Sequence, residues 1–348
     1  MFVISEPNYA MTNWYKKSLS ALKNQARKKR VQLNVAADTL SPEIEGCAFV
    51  LGGSAAWISQ TVYELQAKNC HPIIVSELPE YSFVGRYSCV RTDYNRFMSF
   101  LRSYFVQKDK RHTAFYGMNH ASFSDMARKS AFFSCFSQGE IFENNGSLEK
   151  CFEEFYRSHR ENAFDSVICA NDFAAVSLIA HLRQSGISTE GLCIAVHSNA
   201  QILTYFPEIV AVSVEYSAVA SAAFEIADCI TANPSFLGMR VTVDCQSDLL
   251  PKMAEAGEPP VPSFAVTDTI YDDGELAELM RIDRLLSESD ETDIKIIRLL
   301  SGGTDNICES TFLSDNGVKY RIKKMKKICE VESKKEIPVL LAKYGIVV

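Results

Sequence analysis

The sequence has little of what metal centres and disulfide frameworks need. Its six histidines form no H-E-x-x-H or comparable ligand spacing, and no metal ligand is nominated. The eleven cysteines are odd in number, include no C-x-x-C pair and lie in apolar segments, which is the pattern of reduced core thiols. No uninterrupted run of about 18 apolar residues occurs. Met1-Phe-Val-Ile-Ser-Glu-Pro opens directly as a strand, without a basic or apolar leader, so the expectation is a cytoplasmic protein with no membrane partner. Nucleophile elbow, phosphate loop and acid pair are all missing, so no enzyme, catalytic residue or cofactor is expected. A net charge of −7 argues against wholesale coating of nucleic acid, and any DNA contact must come from a local patch.

What is present is ample apolar material. With 348 residues and 47% hydrophobic content, two or three domains with buried cores are expected. The first part alternates strand and helix: Phe2 to Ile4, a helix over Asn13 to Lys29, Val31 to Val35, Ala48 to Leu51, a helix over Ser59 to Lys68, Pro72 to Val75, a helix over Tyr94 to Val106, and Thr113 to Tyr116. Such alternation implies parallel sheets covered by helices, with ligands at the carboxyl ends of the strands. A phospho-receiver is excluded, because Phe49-Val-Leu-Gly-Gly53 offers no phosphorylatable acid and the α/β region is about twice too long for that class.

The last stretch is different. Ile294, Ile297 and Leu300 share one helical face, which Gly302 and Gly303 stop, and a short helix fits Asn306 to Phe312. Ser314 then caps a third helix, Asp315 to Cys329, whose Val318, Ile322, Met325 and Ile328 or Cys329 form an apolar back. Residues 315–348 hold nine Lys or Arg against four Asp or Glu. On this basis Asn316, Lys319, Tyr320 and Lys323 are the candidate base contacts of a helix in the major groove of double-stranded DNA, and Ser314, Lys326, Lys327 and Lys335 belong to the same surface. An isolated lysine run would more often be a solvated face. The segment Ile307 to Ile322, however, resembles the signature of the LuxR-type (NarL-like) four-helix DNA-binding domain. Val331 to Glu336 and Val339 to Tyr344 are similar to its turn and closing helix. Gly317, Tyr320, Arg321 and Lys334 depart from the family pattern.

Phe164-Asp-Ser-Val-Ile-Cys-Ala-Asn-Asp172 and its helix through Ile187 resemble a segment of the lac-repressor (LacI/GalR) effector domains, relatives of periplasmic sugar-binding proteins. Cys193 to Asn199 and Pro207 to Tyr216 continue the likeness, as do Asp125 to Phe132 and the helix from Trp14. The resemblance implies a two-lobed α/β sensor over residues 1–248, with three crossovers and a small-molecule effector in the cleft. Lobe 1 is expected at about 1–91 and 214–240, and lobe 2 at about 92–213 with a strand from Val241 to Cys245. Carried over singly, Arg128 would clamp an anion or hydroxyl, Asn171 and Asp172 would stand at a strand end, and Trp14 would stack on a ring or sugar face. Plainer roles stay open: a surface ion pair for Arg128, a helix cap for Asn171, core packing for Trp14. His197, followed by Ser198, replaces the family's sugar-binding Asp, which weakens the case for an ordinary hexose.

Residues 249–288 read as a linker and linker helix. Prolines between Leu250 and Pro262 forbid regular structure. Leu276, Leu279, Ile282 or Asp283, and Leu286 stripe a helix over Glu275 to Leu286, which serves as a dimer seam or docks on the terminal domain, 289–348. The expectation is a ligand-responsive, homodimeric transcription regulator, a carbohydrate being one candidate effector. The alternative is a small-molecule-binding scaffold whose last domain contacts protein.

Overall fold

The computed structural model describes residues 1–10, 12–36, 38–40, 43–76, 86–120, 122–197, 200–246, 273–303 and 306–348. The proline-rich stretch from Leu250 to Pro262, and Ser198, lie outside the described residues.

Two six-stranded sheets organise the first 246 residues. In the first, β1 (Phe2–Ser5), β2 (Asn34–Ala36), β3 (Cys47–Leu51), β4 (His71–Val75), β5 (Ser88–Thr92) and β11 (Arg240–Val243) lie in the order β11-β5-β4-β3-β1-β2. The second contains β6 (Thr113–Met118), β7 (Glu140–Glu143), β8 (Ser166–Cys169), β9 (Cys193–His197), β10 (Ile209–Val214) and β12 (Cys245–Gln246), ordered β12-β10-β9-β8-β6-β7. Among the described residues all strand pairings are parallel except β10 with β12, and an isolated antiparallel bridge joins Ser54 to Ser122. Strands β3, β4 and β8 are buried at every residue, as sheets covered on both faces require, which is why they read as apolar runs and do not alternate. This is an α/β, two-lobed, periplasmic-binding-protein-like architecture followed by helices.

The covering helices start where local chemistry directs. Thr12 caps α1 (Asn13–Lys29), Asp93 caps α3 (Tyr94–Gln107), Ser122 caps α4 (Phe123–Cys135) and Ser147 caps α5 (Leu148–Asn162). Helix α2 (Ala55–Ala67) covers the first sheet, α6 (Asp172–Gln184) the second, and α7 (Tyr216–Ala232) returns to the first. Gly117 is required where α6 meets β6: its φ is +80°, and a Cβ there would stand 2.5 Å from that of Ala174.

The chain crosses between lobes at Asp93, Glu215 and Asp244. Here the structure differs from expectation. The strand beginning near Val241 is expected in lobe 2, but Arg240–Val243 pairs in register with Cys89–Thr92 in the first sheet, and only the short strand Cys245–Gln246 joins the second. Strand β2 also starts later than Val31, because Arg30 ends α1 in a left-handed conformation and the Val31 amide still bonds to Ala26.

Helix α8 (Gly274–Glu288) is followed by α9 (Glu291–Ser301), α10 (Ile307–Thr311), α11 (Asp315–Cys329) and α12 (Glu336–Lys343). Leu276, Leu279, Ile282, Leu285 and Leu286 of α8 are buried in one core that runs from lobe 2 into these helices. Its apolar stripe is therefore used within the chain, against lobe 2 as well as the terminal helices, and is not left free as a dimer seam. No helix among the described residues is long and apolar enough to cross a membrane.

Candidate functional site

A cleft of about 200 Å³ opens between the lobes at the carboxyl ends of β4, β5, β8, β9 and β10. Trp14, Arg128, Asn171, Asp172 and His197 all line it, so the structure brings together residues drawn from α1, α4, α6 and β9. Trp14 stands in the first turn of α1, its ring 6.0 Å from that of Tyr9 in an edge arrangement.

Arg128 is only 11% exposed, and its Nη1 lies 2.6 Å from Asp125 Oδ1, one turn earlier on α4. Its guanidinium carbon sits 4.7 Å from the centre of the Tyr94 ring. Thus the ion pair with a near neighbour is real, but it is inside the cleft wall and not on the surface. Burial pushes the Asp125 carboxyl up, opposed by Arg128 and by the Asn119 amide that donates to it. Asn171 does cap α6: its Oδ1 accepts from the Ala174 amide at 2.9 Å, which leaves the amide nitrogen as what it can offer an occupant.

His197 is the most distinctive member. It is 2% exposed, and neither ring nitrogen has a hydrogen-bond partner. Its ring packs on Phe97 at 4.9 Å and edge-on to Tyr94 at 5.2 Å. Burial, with the Arg128 charge added, pushes its pKa down to about 3, so the imidazole is neutral and offers one donor and one acceptor. Arg91 and Arg128 are balanced in the lining by Asp125 and Asp172.

Sequence reasoning missed part of this wall. Tyr94, Asp125 and Tyr216 line the cleft, and so do Leu276 and Met280 of α8, which reach it across a long sequence gap. No local pattern signals such a contribution. Among the described residues no group of three or more His, Cys, Asp or Glu side chains could hold a metal ion.

The second surface lies on α11. Val318, Met325, Ile328 and Cys329 are buried, whereas Asn316, Lys319, Tyr320, Lys323 and Lys327 are exposed, as are Ser314 and Lys335; Lys326 is half-buried. Ser314 caps the helix through the Gly317 amide at 3.2 Å. Lys319 pairs with Asp315 one turn back, both in solvent. Arg321, a departure from the expected motif, is a clamp: Nη1 bonds both carboxylate oxygens of Asp290, at 2.9 and 2.8 Å, and Asp293 Oδ1 at 2.8 Å. These two acids form the capping box of α9, so α11 is held on the start of that helix.

No family model matches the chain, and no curated protein matches it either. Solved structures do. The cellobiose complex of the transcriptional regulator CelR aligns with a TM-score of 0.58 and 11% identity, covering 70% of this chain and 81% of the other. A LacI family transcriptional regulator from Enterococcus faecalis V583 with bound ribose gives 0.55 and 14%, covering 70% and 95%. A dimeric Lac repressor gives 0.56 and 10%, with the same coverage of 70% and 95%. At these identities the likeness is one of fold.

Proposed function

We propose that this protein is a ligand-responsive transcription regulator, with a small molecule held between the lobes and double-stranded DNA held by the terminal helices, which we read as a LuxR-type helix-turn-helix. The observation that carries the reading is the division of α11 into a buried apolar back and an exposed face bearing Lys319, Tyr320, Lys323 and Lys327. A helix so mounted can enter a major groove without losing its own core. The structural neighbours being regulators, some with a sugar bound, supports the sensor half.

The occupant we infer is a small molecule with little net charge. It needs an apolar face for Trp14 and Phe173, and an edge that donates to and accepts from His197 and takes a hydrogen bond from Asn171. A sugar-like ring meets this description, with His197 in place of an ionised acceptor. The working form is a cytoplasmic homodimer joined through the sensor lobes, since two readers on adjacent half-sites gain affinity by linkage.

The test is binding of the full chain to genomic DNA fragments across a salt series. If lysines displace counterions, log affinity falls steeply with log salt, by about 0.9 per phosphate contact. An absence of salt-sensitive binding overturns the DNA reading. It favours instead a small-molecule-binding scaffold that docks a protein, for which the 93% exposed Phe312 and 67% exposed Val339 would serve as contacts.

A further inference from the structure

Helix α8 belongs to three parts of the molecule at once. Its start is fixed to lobe 2: Asp273 Oδ2 accepts from the Leu148 amide at 2.7 Å and from Asn144 Nδ2 at 3.2 Å. Its middle is fixed there too, Asp283 Oδ1 accepting from the Ile202 amide at 2.9 Å, and His181 Nε2 lies 3.1 Å from Glu275. Both aspartates are almost fully buried, so releasing either bond would strand a polar group away from water. The opposite side of α8 holds the terminal helices. Arg281 pairs with Glu330 at 2.7 Å, just past α11, and Tyr344 donates to Glu278 at 2.8 Å. Apolar packing is continuous across it, from Leu178 and Ile202 through Ile282 to Met325 and Ile337.

Lobe 1 touches α8 more lightly. Lys16 Nζ lies 3.1 Å from Glu288 Oε1 with both side chains about a third exposed, and the Lys17 ammonium is within electrostatic reach of Asp283 and Asp172. Nearer the start of α8, Leu276 and Met280 line the cleft itself.

We propose that α8 is the element through which the contents of the cleft act on the terminal helices: an occupant touches Leu276 and Met280, and the change in support for α8 passes directly into α11. This rests on the reading of the cleft as an effector site. It differs from a tethered reader, because lobe 2, α8 and the terminal helices share one core and respond as one cooperative unit. Lobe 1 meets α8 through the Lys16–Glu288 pair, so a shift of that lobe would reach α8 there.

Hydrogen exchange read by mass spectrometry on the full chain tests this without effector or DNA. Met280→Trp places an indole in the cleft from α8 and serves as the probe. Exchange in peptides of α11 should change at least threefold, together with α8. If the Trp variant does not fold, Met280→Ala empties the same wall and should accelerate exchange in both helices. Ile282→Val, inside the shared core, should accelerate α6 and α11 by a similar factor, about two- to tenfold. An unchanged α11 in the Met280 variants, or an Ile282 variant in which only one of α6 and α11 responds, overturns the proposal. A cleft that takes no small molecule would still show this coupling, so the two readings fail separately.

Discussion

The ring of Tyr94 stands at 88° to that of His197, centroids 5.2 Å apart, and its face carries the Arg128 guanidinium. The imidazole is thus closed away from water beside a nearby positive charge, and protonation there is opposed first by burial and then by the Arg128 charge. His197 binds its proton near pH 3 in the folded chain but near 6.5 when unfolded. The unfolded state therefore takes up protons first as pH falls. Stability is lost progressively from about pH 6.5 down to about pH 3, with an upper bound of about 4–5 kcal/mol from this group.

His197→Gln should remove that part of the pH dependence. Urea midpoints at pH 7 and pH 4.5 would show a smaller drop for the variant than for the wild type. An equal drop in both would mean that His197 titrates normally. His71, pushed down to about 4 by burial, contributes a separate loss in the same direction.

Removing one partner of the Arg128–Asp125 pair should cost more than removing both. Arg128→Ala leaves a buried carboxylate without its cation, a loss of about 3–5 kcal/mol at neutral pH. In the double variant with Asp125→Asn the cost should fall by more than about 1 kcal/mol. Strictly additive losses in denaturant titrations would contradict this coupling.

Arg321→Ala should loosen α11 without touching the cleft. The Asp293 carboxylate is 6% exposed and loses its charged partner, so about 1–3 kcal/mol of support for the α9–α11 contact disappears. Faster amide exchange confined at first to α9 and α11 is the expected signature. Unchanged exchange would show that the clamp is ornamental to packing.

Two lysines on α11 should fail differently on DNA. Lys319→Ala should lower binding to a selected site while sparing much of the affinity for random duplex, whereas Lys327→Ala should weaken both alike and flatten the salt slope by about one unit. Lys319 must leave Asp315 to reach a base, so Asp315→Asn should strengthen binding. Equal losses from both lysine variants on both DNAs would reject base readout by this helix.

Much of the local structure can be read from the chain itself. The limits of α1 and α11 fall where Thr12 and Ser314 supply caps and where the apolar spacing ends, because these are interactions of a residue with neighbours three or four positions away. The buried strands stand out as apolar runs for the same reason: each is decided by its own side chains. The cleft members Trp14, Arg128, Asn171, Asp172 and His197 are legible only through the resemblance of their segments to lac-repressor effector domains; the α/β alternation by itself points to strand ends and singles out none of them. What only the tertiary structure decided were the choices between equally suitable partners. Strand β11 is as fit for one sheet edge as for the other, and the position of the third crossover settles it. The stripe of α8 would suit a dimer seam, a docking face or a core helix, and its burial between lobe 2 and α11 comes with contacts 81 and 49 residues apart along the chain, Asp283 with Ile202 and Arg281 with Glu330. Periodicity records that a face is apolar. It carries no information about which distant surface will cover that face, and so Leu276 and Met280 enter the cleft wall only when the chain has folded.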